Sequence, residues 1–148
     1  VEMFYLLELL LKLYFPNVKS VKISQLRQWL NEQSTSIPIV LDARSQEEYA
    51  VSHLKSAQLI EVNNSDIAVL PEVPLNTSIV VYCSVGYRSA KVVQQLQKAG
   101  YQNVFNLSGG IFEWTNQGKP IFKDKHPVEI VHPYNFLWGK LLKSKYHY

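Results

Sequence analysis

The chain has one cysteine and one methionine among 148 residues, only six glycines, and no run rich in lysine and arginine. A single thiol excludes an internal disulfide, and no set of cysteines and histidines has the spacing of a zinc site. This usage fits a reducing compartment such as the cytoplasm, where a lone thiol is either a small buried hydrophobe or a reactive group. The net charge of +3 is modest and unclustered, so the sequence carries no footprint of a nucleic-acid binder. An apolar run long enough to span a bilayer is absent too. Met3 to Phe15 is strongly apolar, but Glu8 and Lys12 interrupt it and a spanning helix needs about 20 residues. It has neither a basic leader nor a small-residue cleavage site, so it is a poor secretory signal. The Glu8/Lys12 spacing supports a helix packed on the domain, with a membrane-surface helix as the less favoured reading.

What is present is the composition of one globular domain, 47% apolar and 18% charged. After Pro16, "VKSVKIS" reads as a strand, and Ser24 as the cap of a helix over "QLRQWLNE". "IPIVLDAR" is a continuous apolar run, the mark of a strand buried on both faces. Ser45 and Glu48 have capping-box spacing at the start of "QEEYAVSH". "AQLI" is a further strand, and "NNSDIAVL" is predicted as a brief helix. "SIVVYC", "RSAKVVQQLQKAG", "NVFNL" and "SGGIFEWTNQG" then alternate strand and helix, with Gly100 at a helix C-terminus and Gly109–Gly110 at a turn. Such alternation predicts a parallel sheet covered by helices on both faces. In the tail, Phe136, Leu137, Leu141 and Leu142 suggest one apolar stripe packing on the N-terminal helix. His53 reads as structural, His126, His132 and His147 as surface residues, and Trp114 as core.

The one cysteine, Cys83, stands at the carboxyl end of a strand, where open parallel sheets bind their ligands. Gly86 gives the following loop freedom to turn sharply into a helix. A loop of this kind aims backbone N–H groups at its own centre, which would stabilise a thiolate and make it a nucleophile. Arg88 adds a fixed positive charge suited to an anionic substrate, and Ser84 and Ser89 add hydroxyls. An inert strand-end cysteine would leave the glycine and arginine beside it unexplained.

"CSVGYRS" resembles the active-site loop of the rhodanese-like sulfurtransferases, with Cys83, Gly86, Arg88 and Ser89 on its pattern. "IVLDARSQEEYAVSHLKSAQLI" and "YQNVFNLSGGIFEW" are similar to further family segments, in order and register, over roughly Val18 to Ile121. The resemblance implies a three-layer α/β domain with a central parallel sheet at 18–121. It leaves a helical extension at 1–17 and a tail at 122–148 packing on the domain. It also implies that Cys83 takes a sulfane sulfur from an anionic donor such as thiosulfate and holds it as a persulfide. A thiol, cyanide or protein acceptor then removes it, with no cofactor or metal. Ser84, Val85, Gly86, Tyr87, Arg88 and Ser89 would form the substrate loop. Arg44 would help hold the donor at the rim, and Asp42 would orient Arg88 or loop N–H groups. The C-x4-R spacing is the form that goes with sulfur transfer, one residue shorter than in related folds acting on phosphate or arsenate. "SHLKSA" departs from the family's Gly-His-Ile-Pro-Gly-Ala, which implies altered turn geometry. The alternative function is a non-enzymatic module docking a protein or membrane surface through the extensions.

Overall fold

The computed structural model describes residues 2–31, 37–64 and 66–148. The chain enters through α1 (Glu2–Tyr14), β1 (Lys19–Val21) and α2 (Ile23–Asn31), then β2 (Ile39–Asp42), α3 (Gln46–Val51) and β3 (Gln58–Leu59). A small antiparallel pair, β4 (Val62–Asn63) and β5 (Asp66–Ile67), precedes β6 (Ser78–Tyr82), α4 (Tyr87–Lys98), β7 (Asn103–Leu107) and α5 (Gly110–Asn116). A second antiparallel pair, β8 (Ile121–Lys123) and β9 (His126–Val128), and the single turn α6 (Phe136–Gly139) complete it.

The central sheet runs β1-β7-β6-β2-β3 with every pairing parallel. Because side chains alternate along a strand, β6 feeds both faces. Ile79 and Val81 join Val92, Val93 and Leu96 of α4, while Val80 and Tyr82 join Leu26 of α2 and Ile111, Phe112 and Trp114 of α5. This is the three-layer arrangement expected, and β6, buried on both sides, ends at the cysteine.

Helix ends follow local chemistry. Ser45 and Glu48 close the capping box on α3: the Glu48 N–H donates to Ser45 Oγ at 3.2 Å, and the Ser45 N–H donates back to Glu48 Oε2 at 2.9 Å. Gly100, with φ +103, ends α4; its N–H reaches the Gln97 carbonyl and that of Tyr101 the Leu96 carbonyl. Ser24 is not a cap. α2 starts one residue earlier, and Gln25 Oε1 accepts the Lys22 N–H at 2.9 Å instead. Glu32, the last residue of the predicted helix, lies outside the described residues.

The helix expected over "NNSDIAVL" is also overturned. Asn64 takes φ +52, the left-handed conformation asparagine tolerates, and turns β4 into β5. Val62 and Ile67 thereby face one another and pack on the α4 side of the sheet. Ser65, within that segment, is outside the described residues.

The two extensions meet the same apolar cluster, α1 through Phe4 and Leu7, and the tail through Val131 and Leu142 with Trp138, Leu141 and Tyr146. The predicted stripe is broken. α6 is one turn long, so Phe136 and Leu137 do not share a face with Leu142 and stand 85% and 67% exposed.

The turn at "SHLKSA" stores strain. Ala57 N–H closes on the Leu54 carbonyl at 3.1 Å, and Ser56, at the third position, has φ +60. That is where a type II turn takes glycine, and where the family sequence has one. Serine thus adopts the left-handed backbone that this turn position asks of glycine. Ser56→Gly should stabilise the fold by about 0.5–1 kcal/mol, the left-handed penalty less the extra chain entropy of glycine. Thermal melting should register this as a rise of about 2–4 °C.

Candidate active site

Cys83 leaves β6 at its carboxyl end and is 1% exposed. Its Sγ accepts the Gly86 N–H at 3.1 Å and lies 3.4 Å from the Ser89 hydroxyl. Gly86 makes this loop feasible: its φ is +119, and a Cβ there would come within 3.1 Å of Leu11 Cδ1 on α1. The N-terminal helix therefore backs the cysteine loop directly. Asn106 of β7 pins the loop from the sheet, its Nδ2 donating to the Gly86 carbonyl at 3.0 Å. Its Oδ1 accepts the Ser89 hydroxyl at 2.5 Å. Ser89 has one proton for two acceptors, Asn106 and the sulfur.

The Gly109–Gly110 turn supports the loop from another side. Ile111 and Phe112 N–H groups donate to the carbonyls of Cys83 and Ser84 at 2.9 and 3.1 Å. A Cβ on Gly110 would fall 2.5 Å from the Cys83 carbonyl oxygen, so that position excludes any side chain.

The arginines behave differently from expectation. Arg88 grips Glu48 with two 2.8 Å bonds, Nη1 to Oε2 and Nη2 to Oε1, and Nη2 also donates to Ser84 Oγ at 2.8 Å. The Ser84 hydroxyl donates to Glu48 Oε1 at 3.2 Å, so it is committed to the ion pair. Burial by itself would raise the Glu48 carboxyl, but the bonds and charge of Arg88, with the N–H and hydroxyl of Ser45, hold it down at about 2. For Arg88, burial opposes the charge and is outweighed by Glu48, so its pKa is raised.

Arg44 does not offer its charge to the rim. Its side chain is fully buried, with Nε and Nη2 on Asp42 at 3.0 and 2.7 Å and Nη2 on the Ser52 carbonyl at 2.7 Å. Asp42 orients Arg44 and not Arg88, and also accepts the Tyr82 hydroxyl at 2.6 Å. Val85 turns its side chain into the core, leaving only its backbone to the loop.

Each arginine is thus neutralised by its own buried carboxylate. Beside them a cavity of about 390 Å³ is lined by Arg44, Ser45, Tyr87, Arg88, Lys91 and Tyr134, among others. Lys91 is the cation there with no carboxylate partner among the described residues; its Nζ sits 4.7 Å from the Tyr87 ring centroid. Tyr87 also meets Phe15 edge-on.

Sequence reasoning placed Cys83, Gly86, Arg88 and Ser89 together. It assigned Glu48 only a capping role and missed Asn106 and Tyr134. Asn106 had a signal, a polar residue inside the apolar strand "NVFNL"; Tyr134 had none. His53 is structural, its Nδ1 2.9 Å from the Leu54 carbonyl oxygen and its ring stacked on Tyr49. His147 is exposed, as expected, and its Nε2 also lies 2.8 and 3.0 Å from the carbonyl oxygens of Gly139 and Leu142.

Glu48 is depressed in the folded chain, so its contribution is complete above the ordinary carboxylate range and is lost as pH falls toward 2. That contribution is on the order of 3 kcal/mol. Denaturant titrations at pH 6, 4 and 3 should show stability falling across this window. Glu48→Gln, which leaves Arg88 without its charge partner, should be less stable at pH 6 and show a shallower acid dependence.

The family described as Rhodanese-like domain matches residues 22–117. An uncharacterized protein of Synechocystis is 30% identical over 70% of this chain and 58% of its own length. A probable adenylyltransferase/sulfurtransferase of Mycobacterium tuberculosis is 33% identical over 65% of this chain, but the match spans only 24% of that protein. Thiosulfate sulfurtransferase 18 of Arabidopsis thaliana is 30% identical over 70% of this chain and 83% of that protein. Among solved structures, a thiosulfate sulfurtransferase from Pseudomonas aeruginosa superposes with TM-score 0.61 at 22% identity, covering 75% of this chain and 20% of that one. By sequence match and shared fold, this chain belongs to the rhodanese-like domain family.

Proposed function

We propose that this protein is a sulfurtransferase that carries a sulfane sulfur on Cys83. The observation that carries the reading is the Cys83 Sγ at the centre of its loop, with the Gly86 N–H aimed at it from 3.1 Å and the Ser89 hydroxyl at 3.4 Å. A donor placed like the Gly86 N–H stabilises negative charge on a sulfur-bound anion. Sulfurtransferases among the relatives give the same direction.

In the first half-reaction the Cys83 thiolate attacks the sulfane sulfur of an anionic donor, with thiosulfate as the test case. The new S–S bond forms as the old one breaks, and sulfite departs with its electron pair. In the second, a nucleophile attacks the outer sulfur of the persulfide, and Cys83 leaves as thiolate. Cyanide yields thiocyanate; a thiolate, small or on a protein, yields a new persulfide. Arg88 and Arg44 being neutralised, attraction of the anionic donor falls to Lys91 and the loop N–H groups. A lone free thiol suits a reducing, cytoplasmic setting. No helix among the described residues is long and apolar enough to cross a membrane.

The competing reading, a docking module without turnover, draws on the outer face of α1, where Met3, Leu6 and Leu13 are more than half exposed. Intact mass separates the two. Incubation with thiosulfate should add one sulfur atom to the protein, removable by a reducing thiol and absent in Cys83→Ser. No gain with thiosulfate or with other sulfane donors would favour the module. Lys91→Ala should raise KM for thiosulfate several-fold, an effect that shrinks as salt rises, while discharge of a preloaded persulfide changes little.

A further inference from the structure

The C-terminal tail lies outside the family match, yet one of its residues reaches the cysteine loop's arginine. Beyond the β8–β9 pair the tail is pinned at the fully buried Val131, whose N–H donates to the Tyr146 carbonyl at 2.8 Å and whose carbonyl accepts from Tyr148 at 3.0 Å. Three residues on, Tyr134 has φ +69, a conformation bulky residues avoid. The Asn135 N–H folds back on the Pro133 carbonyl at 2.8 Å, so Tyr134 is the centre of a γ-turn in its rare, strained form. Its own N–H is held by His132 Nδ1 at 3.0 Å, and Asn135 at once caps α6 by accepting the Trp138 N–H at 2.8 Å. The turn is clamped on both sides. Its product is the position of one ring, which covers the Arg88 guanidinium with Cζ 4.1 Å from the centroid and lines the cavity with Tyr87 and Lys91. Strain maintained at such a place points to a role in the site.

We propose that the cavity beside Arg88 is the approach to the buried Cys83 and that Tyr134 is its specificity-determining wall, admitting small anions and slender thiols while turning away bulky ones. The acceptor class this names rests on the sulfur-transfer reading; the wall itself does not. The edge of Arg88 is occupied by Glu48 and Ser84, so the tyrosine ring covers a face that would otherwise widen the cavity.

Cys83 is the only thiol in the chain, so its alkylation is a site-specific gauge of the opening that needs no catalysis. Rates would be measured with iodoacetamide and with a fluorescein maleimide, and their ratio compared across variants. Tyr134→Ala should raise the bulky-to-small ratio by about tenfold, Tyr134→Trp should lower it, and Tyr134→Phe should keep it, since the ring is the wall. Tyr134→Gly accepts the positive φ without strain, so it should show the raised ratio with no loss of melting temperature. An unchanged ratio in both the alanine and glycine variants, or an equal acceleration of both reagents, overturns the proposal. Discharge of the preloaded persulfide by cyanide against glutathione should follow the same ratio. Failure to load sulfur at all would count against sulfur transfer while leaving the alkylation result to decide the wall.

Discussion

The bidentate pairing of Glu48 with Arg88 is the interaction on which the site's organisation depends. Glu48 is fixed at the start of α3 by the capping box, and through its two carboxylate oxygens it fixes Arg88 in the first turn of α4 and Ser84 in the loop between. One carboxylate thus joins two helices, from different faces of the sheet, at the place where the thiol emerges. The same bond changes the electrostatics. A loop arginine that looks in sequence like a substrate clamp is a neutralised brace, and Arg44 is likewise paired with Asp42, although its buried Nη1 makes no hydrogen bond among the described residues. Lys91 is then the cation lining the neighbouring cavity that has no carboxylate partner among the described residues.

Much of this was legible from residue types. β2, β6 and β7 announced themselves as apolar runs, and the Ser45/Glu48 spacing, Gly86 and Gly100 each stated a local backbone need that the structure meets. The rest was hidden for specific reasons. "NNSDIAVL" has a polar start and apolar end that fit a short helix or a hairpin equally, and only the demand of α4 for apolar cover by Val62 and Ile67 decides. Arg44 and Arg88 differ in sequence by nothing that tells which carboxylate each will find. The tail's one apparent period, the stripe from Phe136 to Leu142, misled, because its order comes from isolated anchors, Val131, Leu142 and the His147 ring, and not from a face.

The extensions share in the core they flank. α1 sends Phe4 and Leu7 into the cluster beneath α5 while Leu11 closes over Gly86, and the tail contributes Leu142 and Val131 before delivering Tyr134. The cysteine loop is held by four neighbours: α1, Asn106 from the sheet, the glycine turn before α5, and the Glu48 brace.

Leu11 over Gly86 has a bearing on how the molecule can be cut. The segment matching the family ends short of both Leu11 and Tyr134. A fragment trimmed to that segment would keep every residue of the cysteine loop and lose the two contacts that seat and border it. The segment that carries the family motif and the stretch that seats and borders its loop are therefore not the same length of chain. A shortened version could be intact in its motif and still be a different receptor.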